Sequence, residues 1–219
     1  MTSAISIPLW TDLLAVAVGG LQGAMLAGEL RTRRLDLLGV AIVGTATGLG
    51  GGLLRDIFLG VPAVALSTDW YLPVAVVASL IGMLLQQVFS KVDWAVTALD
   101  ALTIGLFGAI GASKALSLGL PVIPSIFIGV VSAVGGGVVR DVLLGVPIAL
   151  MHVGSLYAVA AGAGTVLLVA LERLGAPIEV AATTCVVATT LIRILAVRFG
   201  WSLPEQRALA RLGFPRRPR

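Results

Sequence analysis

Two segments of the sequence place an arginine and an aspartate side by side within long apolar runs. Arg55 and Asp56 end the segment "GLGGGLLRD", and Arg140 and Asp141 end the segment "AVGGGVVRD". Ionisable side chains within such runs are costly and normally pair with one another. Because neighbouring side chains on a helix point about 100° apart, pairing between the two segments is the better-placed arrangement. We expect Arg55 to meet Asp141 or a nearby carbonyl, and Arg140 to meet the equivalent group of the first segment.

A glycine triplet precedes each pair, and the six glycines are Gly50, Gly51, Gly52, Gly135, Gly136 and Gly137. Each glycine weakens a helix by about 1 kcal/mol relative to alanine and permits a kink or a break. Broken backbone within a membrane is tolerated only where it is buried in protein or lines a watery cavity. Its free carbonyls can then replace part of a cation's hydration shell. The alternative is close helix packing, but the repeated spacing to an ion pair favours the break.

Two hydroxyl residues stand at matching positions just before the triplets. They are Thr47 and Ser132, each three residues ahead of its first glycine. With the glycine carbonyls and the two aspartates, they are candidates to select a permeating cation. The two arginines then need partners, because an unpaired guanidinium would repel a cation.

Four further charged residues fall within or at the ends of apolar runs, and the first of them is Asp12, near the start of the first span. Asp100 has no basic neighbour in sequence, so it either lines a cation path or accepts bonds from arginine or backbone donors. Lys114 either snorkels to the outer interface or gates the pathway. Arg193 is expected to snorkel inward.

The residues that enzymes use are sparse in this chain. It has one histidine, no cluster with metal-ligand spacing and no nucleophile beside a base. We therefore expect no enzymatic activity and no cofactor.

The composition indicates an integral membrane protein. The chain has 219 residues, 58% hydrophobic and 12% charged, and its mean hydropathy is +1.05. A membrane-spanning helix needs about 20 mostly apolar residues. The apolar runs between charge clusters predict seven spans, at residues 8–28, 37–60, 71–89, 94–115, 121–145, 152–171 and 177–199.

The seven spans contain an internal duplication. "GLGGGLLRDIFLGVP" matches "AVGGGVVRDVLLGVP" at an offset of 85 residues, and "LQGAMLAGEL" matches "LFGAIGASKA" at the same offset. Each copy holds three spans, an odd number, so the copies enter the membrane from opposite sides. The predicted fold is all-α, with two inverted three-helix repeats at 1–92 and 93–175, a seventh helix at 176–199 and a basic cytoplasmic tail at 200–219.

The positions of Lys and Arg predict the orientation. A cytoplasmic C-terminus places Arg31, Arg33, Arg34, Lys91 and the tail inside, as the positive-inside rule requires. We expect the N-terminus outside. The pI of about 10.0 then reflects membrane topology and an anionic bilayer surface, and no nucleic-acid partner is expected.

The sequence resembles the trimeric intracellular cation channels and their bacterial and archaeal relatives over nearly all of residues 8–199. The resemblance is carried by both "GGGxxRD" copies, by "DALTIGLFGAIGASKA" and by the span plan. It implies a homotrimer with a pore in each subunit, lined by spans two and five bent at the triplets. It also implies monovalent cations, chiefly potassium with sodium also passing, as the permeant species.

The resemblance also bears on regulation. The family's basic position in span four falls on Lys114. Animal members carry a second basic residue four positions later and bind a phosphoinositide, but Leu118 stands there in this chain. Phosphoinositide control is therefore not expected.

Two other functions are compatible with these features. Inverted repeats with broken helices suit a secondary transporter equally well, for glycine or another small amino acid. A structural membrane protein without conduction would use the buried Arg and Asp pairs for packing alone.

Overall fold

The computed structural model describes residues 8–29, 35–89, 93–151 and 156–203. Within these ranges the chain forms seven α-helices: α1 (Leu9–Glu29), α2 (Leu37–Leu59), α3 (Tyr71–Phe89), α4 (Asp93–Ser117), α5 (Val122–Leu144), α6 (Tyr157–Arg173) and α7 (Ile178–Phe199). Short 3₁₀ turns, Val64–Leu66 and Ala149–Met151, follow α2 and α5. The predicted all-helical membrane fold is confirmed.

The helices agree closely with the apolar runs of the sequence. Every helix begins and ends within two residues of its predicted span, except that α6 begins at Tyr157, five residues later than expected. Five helices, namely α1, α2, α4, α5 and α7, are long and apolar enough to cross a membrane. In α3 the apolar segment Tyr71–Gln86 is shorter, and α6 has 17 residues, the lower end of the usual range.

The helices pack as two groups of three with α7 added to the second. Helices α1, α2 and α3 contact one another, as do α4, α5 and α6. The groups meet chiefly where α2 packs on α5 and α1 packs on α4, while α7 packs on α4 and α6. A core of α1, α2, α4 and α5 therefore holds both "GGGxxRD" segments.

The ends of α2 and α5 are built alike. Gly60 (φ 65°) and Gly145 (φ 58°) adopt the left-handed conformation that commonly ends a helix. The following Val61 and Val146 donate backbone hydrogen bonds to the carbonyls of Asp56 and Asp141. The chain therefore turns sharply just after each Arg-Asp pair and leads into the 3₁₀ turn.

The basic residues used to predict orientation lie largely outside the described residues. They are Arg31, Arg33, Arg34, Lys91 and the tail from residue 204 onward. The orientation of the chain in the membrane therefore stays a prediction.

Candidate functional site

A buried cluster, here called the first cluster, gathers charged and polar residues from α1, α2, α3 and α4. Arg55 Nε donates to Asp56 Oδ1 at 2.8 Å, and Lys114 Nζ donates to the same oxygen at 2.7 Å. Arg55 Nη1 lies 3.7 Å from Asp12 Oδ1. The Tyr71 hydroxyl donates to Asp12 Oδ2 at 2.8 Å. Two carboxylates face two cations, so the cluster is formally neutral.

A second cluster repeats this arrangement around the other Arg-Asp pair. Its members are Gln22, Asp100, Arg140, Asp141, Tyr157 and Arg193. Arg140 Nε donates to Asp141 Oδ1 at 2.9 Å, and the Tyr157 hydroxyl donates to Asp100 Oδ1 at 3.2 Å. Arg193 Nη2 lies 3.4 Å from Asp100 Oδ2, and its guanidinium lies 5.0 Å from the centre of the Tyr157 ring. This cluster is formally neutral as well.

Both aspartates of the repeated motif also anchor the turn that follows their helix. Asp56 Oδ2 accepts a hydrogen bond from the Val64 backbone at 2.8 Å, and Asp141 Oδ2 accepts one from the Ala149 backbone at 2.8 Å. One carboxylate oxygen thus holds the adjacent arginine and the other holds the start of the 3₁₀ turn. The segment between each aspartate and its 3₁₀ turn contains "LGVP", and its length lets one carboxylate make both contacts.

The expected pairing between the two segments is wrong. Arg55 bonds its own neighbour Asp56, and Arg140 bonds its own neighbour Asp141. The 100° separation applies to the directions in which side chains leave the helix. The arginine side chain is long enough to bend back, so that its Nε reaches the carboxylate of the adjacent aspartate.

The other charged residues have protein partners in the structure. Asp100 accepts from protein donors, including Arg193 and Tyr157. Lys114 does not snorkel outward, since it pairs with Asp56 and its side chain is only 19% exposed. Arg193 was expected to snorkel inward and instead lies buried against Asp100, at 8% exposure.

The glycine triplets form a close helix crossing, and the expected break is absent. Helical structure continues through both triplets. A Cβ on Gly51 would overlap the carbonyl oxygen of Ser132, and a Cβ on Gly136 would overlap that of Thr47. The prediction of a break was therefore wrong. The cost of glycine in a helix is offset here by the close packing of two helix backbones.

The hydroxyls expected to select a cation do not face an open path. Thr47 Oγ1 donates to the Val43 carbonyl of its own helix at 2.7 Å, and Ser132 is fully buried. The third glycine of each triplet differs from the first two, because it faces a cluster. Gly52 has only Arg55 Nη2 near its Cβ position, at 3.9 Å, whereas Gly137 lies against the Tyr157 hydroxyl.

The two clusters lie at different levels of the helix bundle. Asp100 of the second cluster and Lys114 of the first are both on α4, about 21 Å apart along its axis at 1.5 Å per residue. Asp12 and Gln22 are likewise separated by about 15 Å along α1. A closed, neutral cluster therefore stands near each end of the helix core.

Three members of the clusters were not singled out from the sequence. Tyr71 and Tyr157 each begin the third helix of a repeat. The sequence did not show this equivalence, because the 85-residue offset aligns Tyr71 with Leu156 and the sixth span was expected to begin at 152. Gln22 is an isolated amide in an apolar segment, and this is the only sign of it in the sequence. In the structure it is 2% exposed. Among the described residues, no group of His, Cys, Asp and Glu is arranged to hold a metal ion.

Comparison with known proteins gives consistent matches. The family model described as "Glycine transporter" matches residues 9–87 and 97–173. The inner membrane protein YadS of Escherichia coli K12 is 34% identical over 199 residues, covering 89% of this chain and 94% of YadS.

Two solved structures have the same fold. One is the TRIC trimeric intracellular cation channel orthologue from Rhodobacter sphaeroides, 28% identical with a TM-score of 0.80, covering 88% of this chain and 98% of that one. The other is a TRIC cation channel, 33% identical with a TM-score of 0.79, covering 90% of this chain and 96% of that one.

Proposed function

This chain belongs to the family of the TRIC cation channels, the family matched by the glycine-transporter model, and from this premise we propose that it conducts monovalent cations, chiefly potassium, across the inner or plasma membrane. One observation carries the proposal. A charge-neutral cluster of buried ion pairs stands near each end of a helix core whose middle is a glycine crossing. A passive pore of this kind needs no cofactor besides the permeant ion and no catalytic group.

The charge balance of the clusters supports the passage of cations. In each of them the arginine is tied to the adjacent aspartate, at 2.8 Å in both cases, so its charge is neutralised and does not repel a cation. The Oδ1 atom of Asp56 that binds Arg55 also binds Lys114. Movement of Lys114 away from Asp56 would leave a net negative charge at this end, which attracts a cation. We therefore assign gating to Lys114.

The contact between α2 and α5 corresponds to a closed pathway. Gly51 and Gly136 lie so close to the opposite backbone that no ion fits between them. Separation of the helices at this crossing, with transient unwinding at the glycines, would free the carbonyls of Thr47 and Ser132 to replace water around potassium. The triplets thus act as a contact that opens, and they need no permanent break in the helix.

The proposal extends to assembly and orientation. Three copies would associate, since the Rhodobacter sphaeroides orthologue is a trimeric cation channel, and each copy would have its own pore. The N-terminus would lie outside and the C-terminus inside, because this places most Lys and Arg in the cytoplasm.

A secondary transporter for glycine is the second candidate. The description of the matching family model supports it. Clusters near both ends of the core would also suit alternating access, in which one end opens while the other stays closed.

Recordings from purified protein in planar bilayers, paired with glycine uptake into proteoliposomes, separate the two functions. A channel gives unitary potassium currents and no saturable glycine uptake. A transporter gives saturable uptake of labelled glycine without unitary currents, and that result would overturn the channel. Protein carrying Arg173→Gln is a suitable control, since Arg173 is exposed and its pair with Glu172 spans 3.7 Å.

A further inference from the structure

Gln22 and Phe107 occupy equivalent positions in the two repeats and reach opposite clusters. The 85-residue offset aligns Gln22 with Phe107. Gln22, on α1, contributes to the second cluster, while Phe107, on α4, borders the first. The two residues are therefore counterparts in space as well as in sequence, but one is an amide and the other an aromatic ring.

In the second cluster the amide of Gln22 bridges the arginine and the carboxylate. Its Oε1 accepts from Arg140 Nη1 at 3.1 Å, and its Nε2 donates to Asp100 Oδ1 at 3.3 Å. Arg140 Nη1 and Asp100 Oδ1 are themselves 3.8 Å apart, which is too far for a direct hydrogen bond. The bridge satisfies both groups.

In the first cluster the corresponding gap has no such bridge. Arg55 Nη1 lies 3.7 Å from Asp12 Oδ1, almost the same separation. Arg55 is 1% exposed, and its Nη1 has no hydrogen-bond partner among the described residues. Leaving a buried charged donor unpaired is costlier than leaving a neutral one unpaired. Phe107 has no polar atom with which to relieve this cost.

A small cavity lies at this gap. Its walls include Asp12, Gly52, Arg55, Tyr71 and Phe107, and its size is close to that of one water molecule. Polar groups slightly beyond direct bonding distance are commonly joined by water. The cavity is polar on the side of Arg55 and Asp12 and apolar on the side of Phe107, and its volume limits the occupant to one small molecule.

We propose that this cavity binds a single water molecule, which accepts a hydrogen bond from Arg55 Nη1 and donates one to Asp12. The water takes in the first cluster the bridging role that the Gln22 amide has in the second. A water molecule exchanges and an amide on a helix does not. The first cluster is consequently the more easily opened end of the core, whether the protein conducts or transports.

A structure of the intact protein, determined at a resolution that shows ordered water, tests the site. The wild-type map should contain a peak within about 2.7–3.2 Å of both Arg55 Nη1 and Asp12 Oδ1. An empty gap between well-ordered side chains would overturn the proposal. So would a direct bond between the two groups.

Two variants sharpen the test. Gly52→Ala adds a methyl group where only Arg55 Nη2 lies nearby, so the protein should fold and the water peak should be lost. Gly162→Ala is the matched control: it adds a methyl to α6, with only Val130 at 4.0 Å, and should keep the peak. A peak that persists in Gly52→Ala contradicts the site.

Phe107→Gln restores the amide of the other repeat. Its side chain should fill the cavity and bond both Arg55 and Asp12, with the water absent. An amide that turns away while the water stays would contradict the equivalence of the two positions. Because Phe107 belongs to the apolar core, this variant can fail to fold, and Gly52→Ala then decides the question alone.

Discussion

Lys114 Nζ lies 2.7 Å from Asp56 Oδ1, joining α4 of the second predicted repeat to α2 of the first. The same oxygen also accepts from Arg55, at 2.8 Å. One carboxylate therefore holds two cations from different helices. The pair is a physical link between the repeats, and it stands near the end of the core that we infer to be the more easily opened.

Replacing Lys114 by Gln should favour the open state and lower stability. Asp56 would keep Arg55 but lose its second cation. The partial exposure of Lys114 reduces the usual penalty for breaking a buried pair to about 1–3 kcal/mol. Single-channel recording should show a higher open probability, and thermal unfolding in detergent a lower midpoint. Arg173→Gln, at an exposed pair, should change neither measurement; an unchanged open probability in Lys114→Gln would remove the gating role.

Adding a methyl group at the glycine crossing should destabilise the protein. In Gly51→Ala and Gly136→Ala the new Cβ would overlap a carbonyl oxygen of the opposite helix, and overpacking of this kind costs about 1–3 kcal/mol. Thermal unfolding should show lower midpoints for both variants. The control Gly162→Ala lies in open space and should match the wild type. Equal stability of all three would mean that α2 and α5 are not in close contact.

Neutralising Asp100 should be partly compensated by removing Arg193. Asp100→Asn leaves Arg140 and Arg193 buried with one carboxylate fewer, and breaking a buried pair costs about 3–5 kcal/mol. The double variant Asp100→Asn with Arg193→Gln should be more stable than the sum of the single changes predicts. Unfolding free energies of all three variants provide the measurement. Strict additivity would show that the two side chains do not interact, and Glu179→Gln, an exposed acid on α7, is the control.

Removing the Gln22 amide should weaken the second cluster. Gln22→Leu keeps the apolar volume but leaves Arg140 Nη1 without its 3.1 Å partner, which costs about 1–3 kcal/mol. Thermal unfolding measures this cost. Thr183→Val removes an exposed hydroxyl that bonds only its own helix and should have little effect. If both variants unfold at the wild-type temperature, the bridge contributes nothing.

Phe107→Gln should reduce opening at the first cluster. A fixed amide would tie Arg55 to Asp12, as Gln22 ties Arg140 to Asp100 in the other repeat. The expected result is a lower open probability in bilayer recordings with the unitary current unchanged, because the change affects the closed state alone. A higher open probability would contradict the view that bridging holds a cluster shut.

Much of the fold could be predicted from the sequence, because a membrane span depends on the summed hydrophobicity of many residues and not on any single contact. An apolar run of about 20 residues identifies a span whatever its neighbours are, and α3 begins and ends where the run at 71–89 predicts. The start of the sixth span was predicted five residues too early, because no charged residue lies between Asp141 and the predicted start at 152. The charged residues of the site were found in the same way, as exceptions within apolar runs.

The sequence by itself determined that this is a membrane protein of seven helices, that its two "GGGxxRD" segments are equivalent, and that their charges need partners. Only the tertiary structure decided which partners those are. Lys114 and Asp56 are 58 residues apart, and Gln22 and Arg140 are 118 apart, so no local pattern connects them. Such pairs depend on the rotation of each helix about its axis, on the reach of a side chain and on how closely two backbones approach. For that reason the glycines became a packing contact and each arginine turned to its own neighbour.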